Sequence, residues 1–515
     1  MLRRSLFTGA ILGTVMAVVA GPALAQKKDN TVRIAFFDPI SMIDAVYDPK
    51  PETGFTANAI YDRLMTYETA TGQFRPRIAE SWTRVNPTTY EFRLKKGLKF
   101  HDGSDLDADD VVYTVNFVAD PKVRFRIKSR YLFIKGAEKI DQHTVRITTK
   151  RPSVSAMMRF ARSLSIYPSD VHGALAKKNT FGRKPVGSGP YRAAMVDPEK
   201  GIVLERVNNY QLAADYRPAG KVKRYVIKQI PSVQTQVAQL LTGNLDMMYR
   251  VPKDQVDNLR NDPNFGFTAQ SKGLLIAYLL LDAAGRSENP ALKDIRVRKA
   301  IMHAVNRRAI QTTLIAGGSD VPMVESMCFR NQAGCDFSAR LPEFNPAKAK
   351  QLLADAGVSD LSLEITSVTS APAAVPQAIA GYLRAVGIKA SVTRLPFPPY
   401  RKKQAQGKIQ ALANPWASGG LPDVESTANF FFAPGARNYS RDPVITKLAK
   451  EGASTFEPNA RKAIYKQLFD RVTEQAYIMP VATTPPVFVH AKGLHISEVG
   501  ADETYGALPN QIWWK

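Results

Sequence analysis

Side chains able to do covalent or metal chemistry are few in this chain and scattered along it. The six histidines, His101, His143, His172, His303, His490 and His495, show no HExxH pairing or other metal-ligand spacing. The closest pair, His490 and His495, reads as a surface feature of a strand or loop. Gly187-Ser188-Gly189 lacks the GxSxG frame of a nucleophile elbow, and Pro190 directly after it argues for a turn. His101 and Asp102 have the right types for a base and its orienter, but neighbouring side chains in an extended segment point to opposite faces. No GxxxxGK[ST] loop is present to bind nucleotide phosphates. Cys328 and Cys335 lack the CxxC spacing and the further ligands of a redox or metal pair; in an oxidising compartment a local disulfide is expected. The residues therefore point to no catalytic group, no metal and no cofactor.

The elements around these residues are more telling. Tyr90, Phe92 and Leu94 alternate with Glu91, Arg93 and Lys95, the period of a half-buried strand, and His101-Asp102-Gly103 then suits a tight turn. Asp107 is placed to cap a helix, with Asp109 and Asp110 on its first-turn amides and Val111, Val115 and Val118 in one apolar stripe. Further on, Asn345-Pro346 starts a helix with Ala349, Leu352, Leu353 and Ala356 on one face, which Gly357 ends. Leu361, Leu363 and Ile365 read as a strand. A second helix carries Val375, Ile379, Leu383 and Val386, stops at Gly387, and leads into Ile388, Ala390 and Val392 at period two. Earlier stripes, Val233, Val237, Leu240 and Leu241, and Val297, Ala300, Ile301, Ala304 and Val305, are packing faces. Residues 273–282, GLLIAYLLLD, form a nearly continuous apolar run suited to a strand buried on both faces. The class is α/β.

Several of these segments together resemble one family. They are Ala79-Glu80-Ser81-Trp82, Leu94-Lys95-Lys96-Gly97, Lys99-Phe100-His101-Asp102-Gly103 and Ala108-Asp109-Asp110-Val111-Val112. In the same order follow PVGSGPY at 185–191, LERVNNY at 204–210, TGNLDM at 242–247 and DIRVRKAIMHAVNR at 294–307. The chain resembles the family 5 extracytoplasmic solute-binding proteins, the dipeptide, oligopeptide and nickel receptors of bacterial ABC importers. That resemblance implies the two-lobed periplasmic binding protein fold with an extra subdomain on lobe one and a ligand cleft between lobes joined by a two-crossing hinge. It implies a lobe I core of residues 26–60, 185–270 and 487–515, an accessory subdomain of 61–184, and a lobe II of 271–486, with the return crossing near Pro485-Pro486. The implied partners are a small-molecule solute and an inner-membrane ABC permease with separate ATPase subunits, the chain itself acting as a monomer.

The ends and the composition fit an exported protein. Arg3 and Arg4, an apolar core from about Ile11 to Ala20, and Ala23-Leu24-Ala25 read as a cleaved signal peptide over 1–25, placing the mature chain in the periplasm. The apolar run is shorter than the ~20 residues that span a bilayer. Arg3-Arg4-Ser5-Leu6-Phe7 fits either the general or the twin-arginine route, and no cysteine follows the small residues as a lipid anchor would need. The roughly 490 residues left exceed one hydrophobic core. The formal charge of +24 becomes +22 without Arg3 and Arg4. The bases are scattered without a nucleic-acid-binding module, so no nucleic acid partner is expected; the densest run, KVRFRIK at 122–128, reads as a solvated strand face.

What the resemblance implies for the ligand centres on residues 414–423, NPWASGGLPD. Peptide receptors of the family carry a GW-x-x-D segment, whose aspartate receives the ligand's ammonium while the tryptophan packs beside it. Trp416 matches the tryptophan. Ungapped, the aspartate position falls on Gly419, next to Ser418, and only a shifted alignment brings Asp423 into play. The departure weighs against a free peptide amine, since a buried ammonium needs an opposite charge. Tyr278 matches an aromatic that contacts ligand in peptide receptors, Tyr131 and Phe397 fall near other aromatic cleft positions, and Tyr47 lies in the loop after the first strand, where Ser41 and Asp44 suit turn chemistry. The expected function is solute capture by lobe closure, of a blocked or anionic peptide, an amino-acid conjugate such as an opine, or a sugar derivative. A periplasmic hydrolase on the same scaffold is the alternative, with a charge-driven anion binder as a third.

Overall fold

The computed structural model describes residues 29–68, 71–125, 128–270, 275–329, 332–336, 340–369, 371–497 and 507–515. The export segment expected at 1–25 and Gly273-Leu274 lie outside them. Among the described residues no helix is long and apolar enough to cross a membrane.

Local chemistry sets the elements much as the sequence suggests. Asp107 accepts from the Asp109 amide at 2.9 Å while Asp110 accepts from the Asp107 amide at 3.0 Å, a reciprocal cap that opens the helix Ala108–Ala119. Its stripe of Val111, Val115 and Val118 is buried. Two sequence expectations fail. Leu241 closes the helix Val233–Leu241 facing solvent, and Gln236 is buried in its place because its amide donates to the Ile230 carbonyl at 2.6 Å. The KVRFRIK run forms no strand among the described residues. Instead Lys128 turns its ammonium onto the carbonyls of Val118, Asp120 and Val123, taking up acceptors left open at the end of the preceding helix.

Seven strands make one sheet, in the order Phe265–Ala269, Val487–Ala491, Met247–Tyr249, Thr31–Phe36, Arg224–Gln229, Gly201–Arg206 and Tyr191–Asp197. Five make another, in the order Lys389–Leu395, Ser362–Val368, Ala411–Trp416, Ile276–Leu281 and Ile478–Thr483. The chain passes between these sheets twice, after Ala269 and after Thr483. A four-stranded antiparallel sheet, Ala79–Asn86, Thr89–Leu94, Thr144–Thr149 and Ile134–Asp141, is built from the segment between the first and second thirds of the seven-stranded sheet's chain. It shares one continuous core with that larger sheet: Phe92, Val115 and Ile147 belong to the same buried cluster as Val32, Tyr225 and Phe488. The five-stranded sheet has a core on each face, one around Leu279, Ile301 and Leu383, the other around Tyr278, Phe431 and Tyr465. Strand Ile276–Leu281 is buried throughout, as its unbroken apolar run requires.

The motifs that carry the family resemblance turn out to brace one another. Gly189 donates its amide to the Ile60 carbonyl at 2.8 Å, and a Cβ at Gly187 or Gly189 would stand 2.1 or 2.3 Å from the carbonyl oxygens of Ile60 and Ala59. Only glycine lets this loop lie on the end of the helix Pro51–Ile60. His101 fastens the loop from the other side: its amide donates to the Gly187 carbonyl at 2.7 Å and its Nε2 lies 2.9 Å from the Gly189 carbonyl.

Candidate ligand-binding site

Strand direction locates the cleft. In the five-stranded sheet the strands ending at Val368, Leu395 and Trp416 run parallel. Trp416 pairs with Ile276, which also pairs with Thr483, so the carboxyl ends of these strands share an edge with both crossings. In the seven-stranded sheet the parallel strands end at Phe36, Gln229 and Tyr249, level with the Ala269–Val487 pair from which the crossings leave. Each sheet therefore presents its carboxyl edge toward the other. Ligands of open α/β sheets bind outside that edge, where loops and helix starts converge.

Trp416 stands at this edge, half-buried, its indole nitrogen donating to Thr427 Oγ1 at 3.0 Å and its ring 4.1 Å from Phe430 and 5.3 Å from Phe431. Phe397 begins the helix Phe397–Ala405 two residues after strand Lys389–Leu395 and is 56% exposed, a large apolar ring open at the same edge. Tyr278 lies one layer behind: it is buried, edge-on to Phe431 at 5.0 Å. Ser418 is fully buried with φ at 49°, its Oγ accepting from Gln332 Nε2 at 2.5 Å and its carbonyl accepting from Ser426 Oγ at 2.6 Å. Gly419 shares the short 3-10 turn Ser418–Gly420. In the loop after strand Thr31–Phe36, Tyr47, half-buried, lies edge-on to Phe125 at 6.3 Å. Tyr131 is buried behind Phe125, with its hydroxyl donating to the Ser163 carbonyl at 2.8 Å.

Asp423 is committed elsewhere. Its carboxylate accepts from both Arg461 Nη atoms at 2.6 and 3.0 Å and caps the helix Val424–Phe432 through the Glu425 amide at 2.8 Å. The pair is buried on both sides. A shifted alignment therefore brings no uncompensated carboxylate to the cleft, and Gly419 brings none either.

Cys328 and Cys335 are joined by a disulfide. The loop they close holds Gln332, which donates to Ser418 Oγ and to the Leu421 carbonyl, and Ala333, which bonds Pro422 and Val424 through its backbone. The bridge thus braces the turn that follows Trp416.

Contacts between the sheets' two halves sequence reading did not find. Arg159 lies 3.8 Å from Glu425, the Arg84 guanidinium sits 4.0 Å over the Phe456 ring, and Arg260 grips Asp320 at 2.6 and 3.2 Å. Burial, then the neighbouring Asp423 charge, pushes the Glu425 carboxyl above its ordinary range.

In the loop after the first strand, Asp44 makes the turn expected of it, accepting from the Val46 amide at 2.9 Å, and also takes the Tyr167 hydroxyl at 3.0 Å. Burial nonetheless pushes its carboxyl up to about 6. The folded chain then binds more protons than the unfolded one between pH 4 and 6, so this group's contribution to stability falls as pH rises through that window. Asp44→Asn removes the charge and keeps the acceptor. Its stability relative to wild type should improve by about 2 kcal/mol between pH 4 and pH 7 in urea titrations; an equal difference at both pH values would refute the assignment.

His490 is buried, not surface, on the strand Val487–Ala491, while His495 stacks on Trp513 at 4.2 Å. Among the described residues no group of three or more His, Cys, Asp or Glu could hold a metal. Ser188 Oγ is buried and has no hydrogen-bond partner among the described residues, so neither His101 nor any other base is in place to activate it.

Two sheets joined by paired crossings, with carboxyl edges opposed, define a two-lobed binding protein. The chain belongs to the family described as bacterial extracellular solute-binding proteins, family 5 Middle, whose model matches residues 73–438. It is similar to heme-binding protein A of Haemophilus influenzae, at 26% identity over 500 residues and 88% of each chain. It is also similar to di/tripeptide-binding protein 1 of Pseudomonas aeruginosa, at 25% identity over 541 residues and 98% of each chain. Its fold matches that of NikA from Brucella suis in complex with Fe(III)-EDTA, with a TM-score of 0.82 at 20% identity, covering 94% of this chain and 100% of that one.

Proposed function

We propose that the chain is the periplasmic receptor of an ABC importer, exported through a cleaved signal at 1–25, and that it captures a peptide-like solute lacking a free amine. The opposed carboxyl edges of the two sheets carry this reading. Lobe I is formed by 26–60, 185–270 and 487–515 with an accessory subdomain at 61–184, lobe II by 271–486, and closure turns on the two crossings between the lobes. A solute touching both edges favours the closed state, which Arg159–Glu425 and Arg260–Asp320 also favour, and an inner-membrane permease with separate ATPase subunits receives the closed monomer.

The relatives' names cover heme, di- and tripeptides and an iron chelate, so membership alone does not choose the solute. The chain's own residues narrow it. Aromatic rings at Trp416 and Phe397 offer walls for a peptide-like body, Gly419 offers no acid for an ammonium, and Asp423 is neutralised by Arg461. The hydrolase alternative lacks an activated nucleophile among the described residues.

Native mass spectrometry of protein purified from the periplasm tests this reading, because a receptor closed on its solute carries it through purification. A retained small solute without an α-ammonium is the expected result. A bound dipeptide with a free amine would overturn the assignment of Gly419 and Asp423.

A further inference from the structure

Beside the aromatic walls stand two guanidiniums that sequence reading did not single out. The Arg437 guanidinium lies 4.4 Å over the Phe430 ring, whose own centroid is 4.1 Å from that of Trp416. Arg401 comes one helical turn after Phe397, so the two share a face of the helix Phe397–Ala405; Tyr400 between them lies 5.9 Å from Phe397 ring to ring. The two segments converge: Arg286 donates to the Ala436 carbonyl at 2.7 Å and to the Gln404 carbonyl at 3.5 Å, joining the loop that carries Arg437 to the helix that carries Arg401. Arg437 and Arg401 are both half-buried, and burial, then the nearby Arg401 charge, holds the Arg437 guanidinium below its ordinary range.

Neighbouring bases have partners. Lys403 pairs with Glu364, Arg394 donates to the Thr369 and Ala371 carbonyls, and Arg286 donates to the Ala436 carbonyl at 2.7 Å. Among the described residues Arg401 and Arg437 meet no carboxylate: Arg401 donates to the Gln404 side chain, and Arg437 lies over the Phe430 ring with the Tyr400 and Tyr278 side chains nearby. Two half-buried like charges without a counterion, at the edge where ligand is expected, favour an anion between them. Guanidinium forks match a carboxylate in shape and charge.

We propose that Arg401 and Arg437 form an anion subsite that receives the carboxylate of the solute while Trp416, Phe430 and Phe397 flank its body. The proposal rests on the receptor reading above and makes it specific. An amine-free ligand offers its carboxylate to both guanidiniums and needs no acid at Gly419, which accounts for the departure from a dipeptide site.

Titration calorimetry with N-acetyl-alanyl-phenylalanine and its C-terminal amide tests it on the full mature chain. Wild type should bind the acid at least ten-fold more tightly than the amide. The double variant Arg401→Gln/Arg437→Gln should lose that preference and bind both at the amide's affinity, with a thermal midpoint no lower than wild type, because two repelling charges have been removed. Arg437→Lys, which keeps the charge and loses the fork, should keep part of the preference. Equal affinities in wild type, no binding of the acid, or a preference that survives in the double variant would each overturn the subsite. Trp416→Ala should weaken acid and amide alike; if it changes neither, the failure lies with the cleft itself.

Discussion

Replacing Asp423 with alanine should lower the unfolding free energy by about 3–5 kcal/mol, the largest loss expected from one substitution in this region. The reason is the group left behind. Arg461 is buried, and among the described residues its partners besides Asp423 are the Gly452 carbonyl at 2.9 Å from Nε, Glu425 at 3.8 Å and the Tyr465 ring at 5.0 Å. An uncompensated buried guanidinium is costly, and the lost cap on the helix Val424–Phe432 adds about 1 kcal/mol within that range. Asp423→Asn keeps an acceptor for the Glu425 amide and should fall between alanine and wild type. Urea-induced unfolding measures both. A loss below about 1 kcal/mol accompanied by a large drop in ligand affinity would show instead that Asp423 serves the solute.

Trp416→Ala should do the reverse, costing affinity more than stability. The indole is half-buried and has one hydrogen bond, to Thr427, so its removal leaves the buried core around Phe431 in place. Truncating an aromatic anchor at the centre of a site typically weakens binding by about 10- to 100-fold, or about 1.4–2.7 kcal/mol. Calorimetric titration with whichever solute co-purifies, alongside a melting curve, separates the two effects. Unchanged affinity would remove Trp416 from the site.

The sequence resolved what depends on neighbours in the chain. The Asp107 cap, the Val111 stripe and the strand around Phe92 follow from local periodicity and turn chemistry, and the two cysteines are close enough in sequence for their pairing to be expected. The aromatic at Trp416 came through resemblance. What escaped depends on distance. Asp423 and Arg461 meet across 38 residues, and Arg401 meets Arg437 only because a helix and a loop from different parts of the chain converge beside Tyr400. Gln236 displaced Leu241 from the core because one buried carbonyl needed a donor, a demand no helical periodicity reveals. Residues 122–128 alternate like a strand, yet Lys128 found open carbonyls at a helix end instead. Burial ranked the aromatics: Tyr278 and Tyr131 are interior, while Phe397 is open.

The disulfide between Cys328 and Cys335 has a bearing on where the protein can work. Because the loop it closes holds the turn after Trp416 through Gln332 and Ala333, reducing the bridge would slacken that turn. That brace therefore persists in an oxidising compartment and is lost in a reducing one.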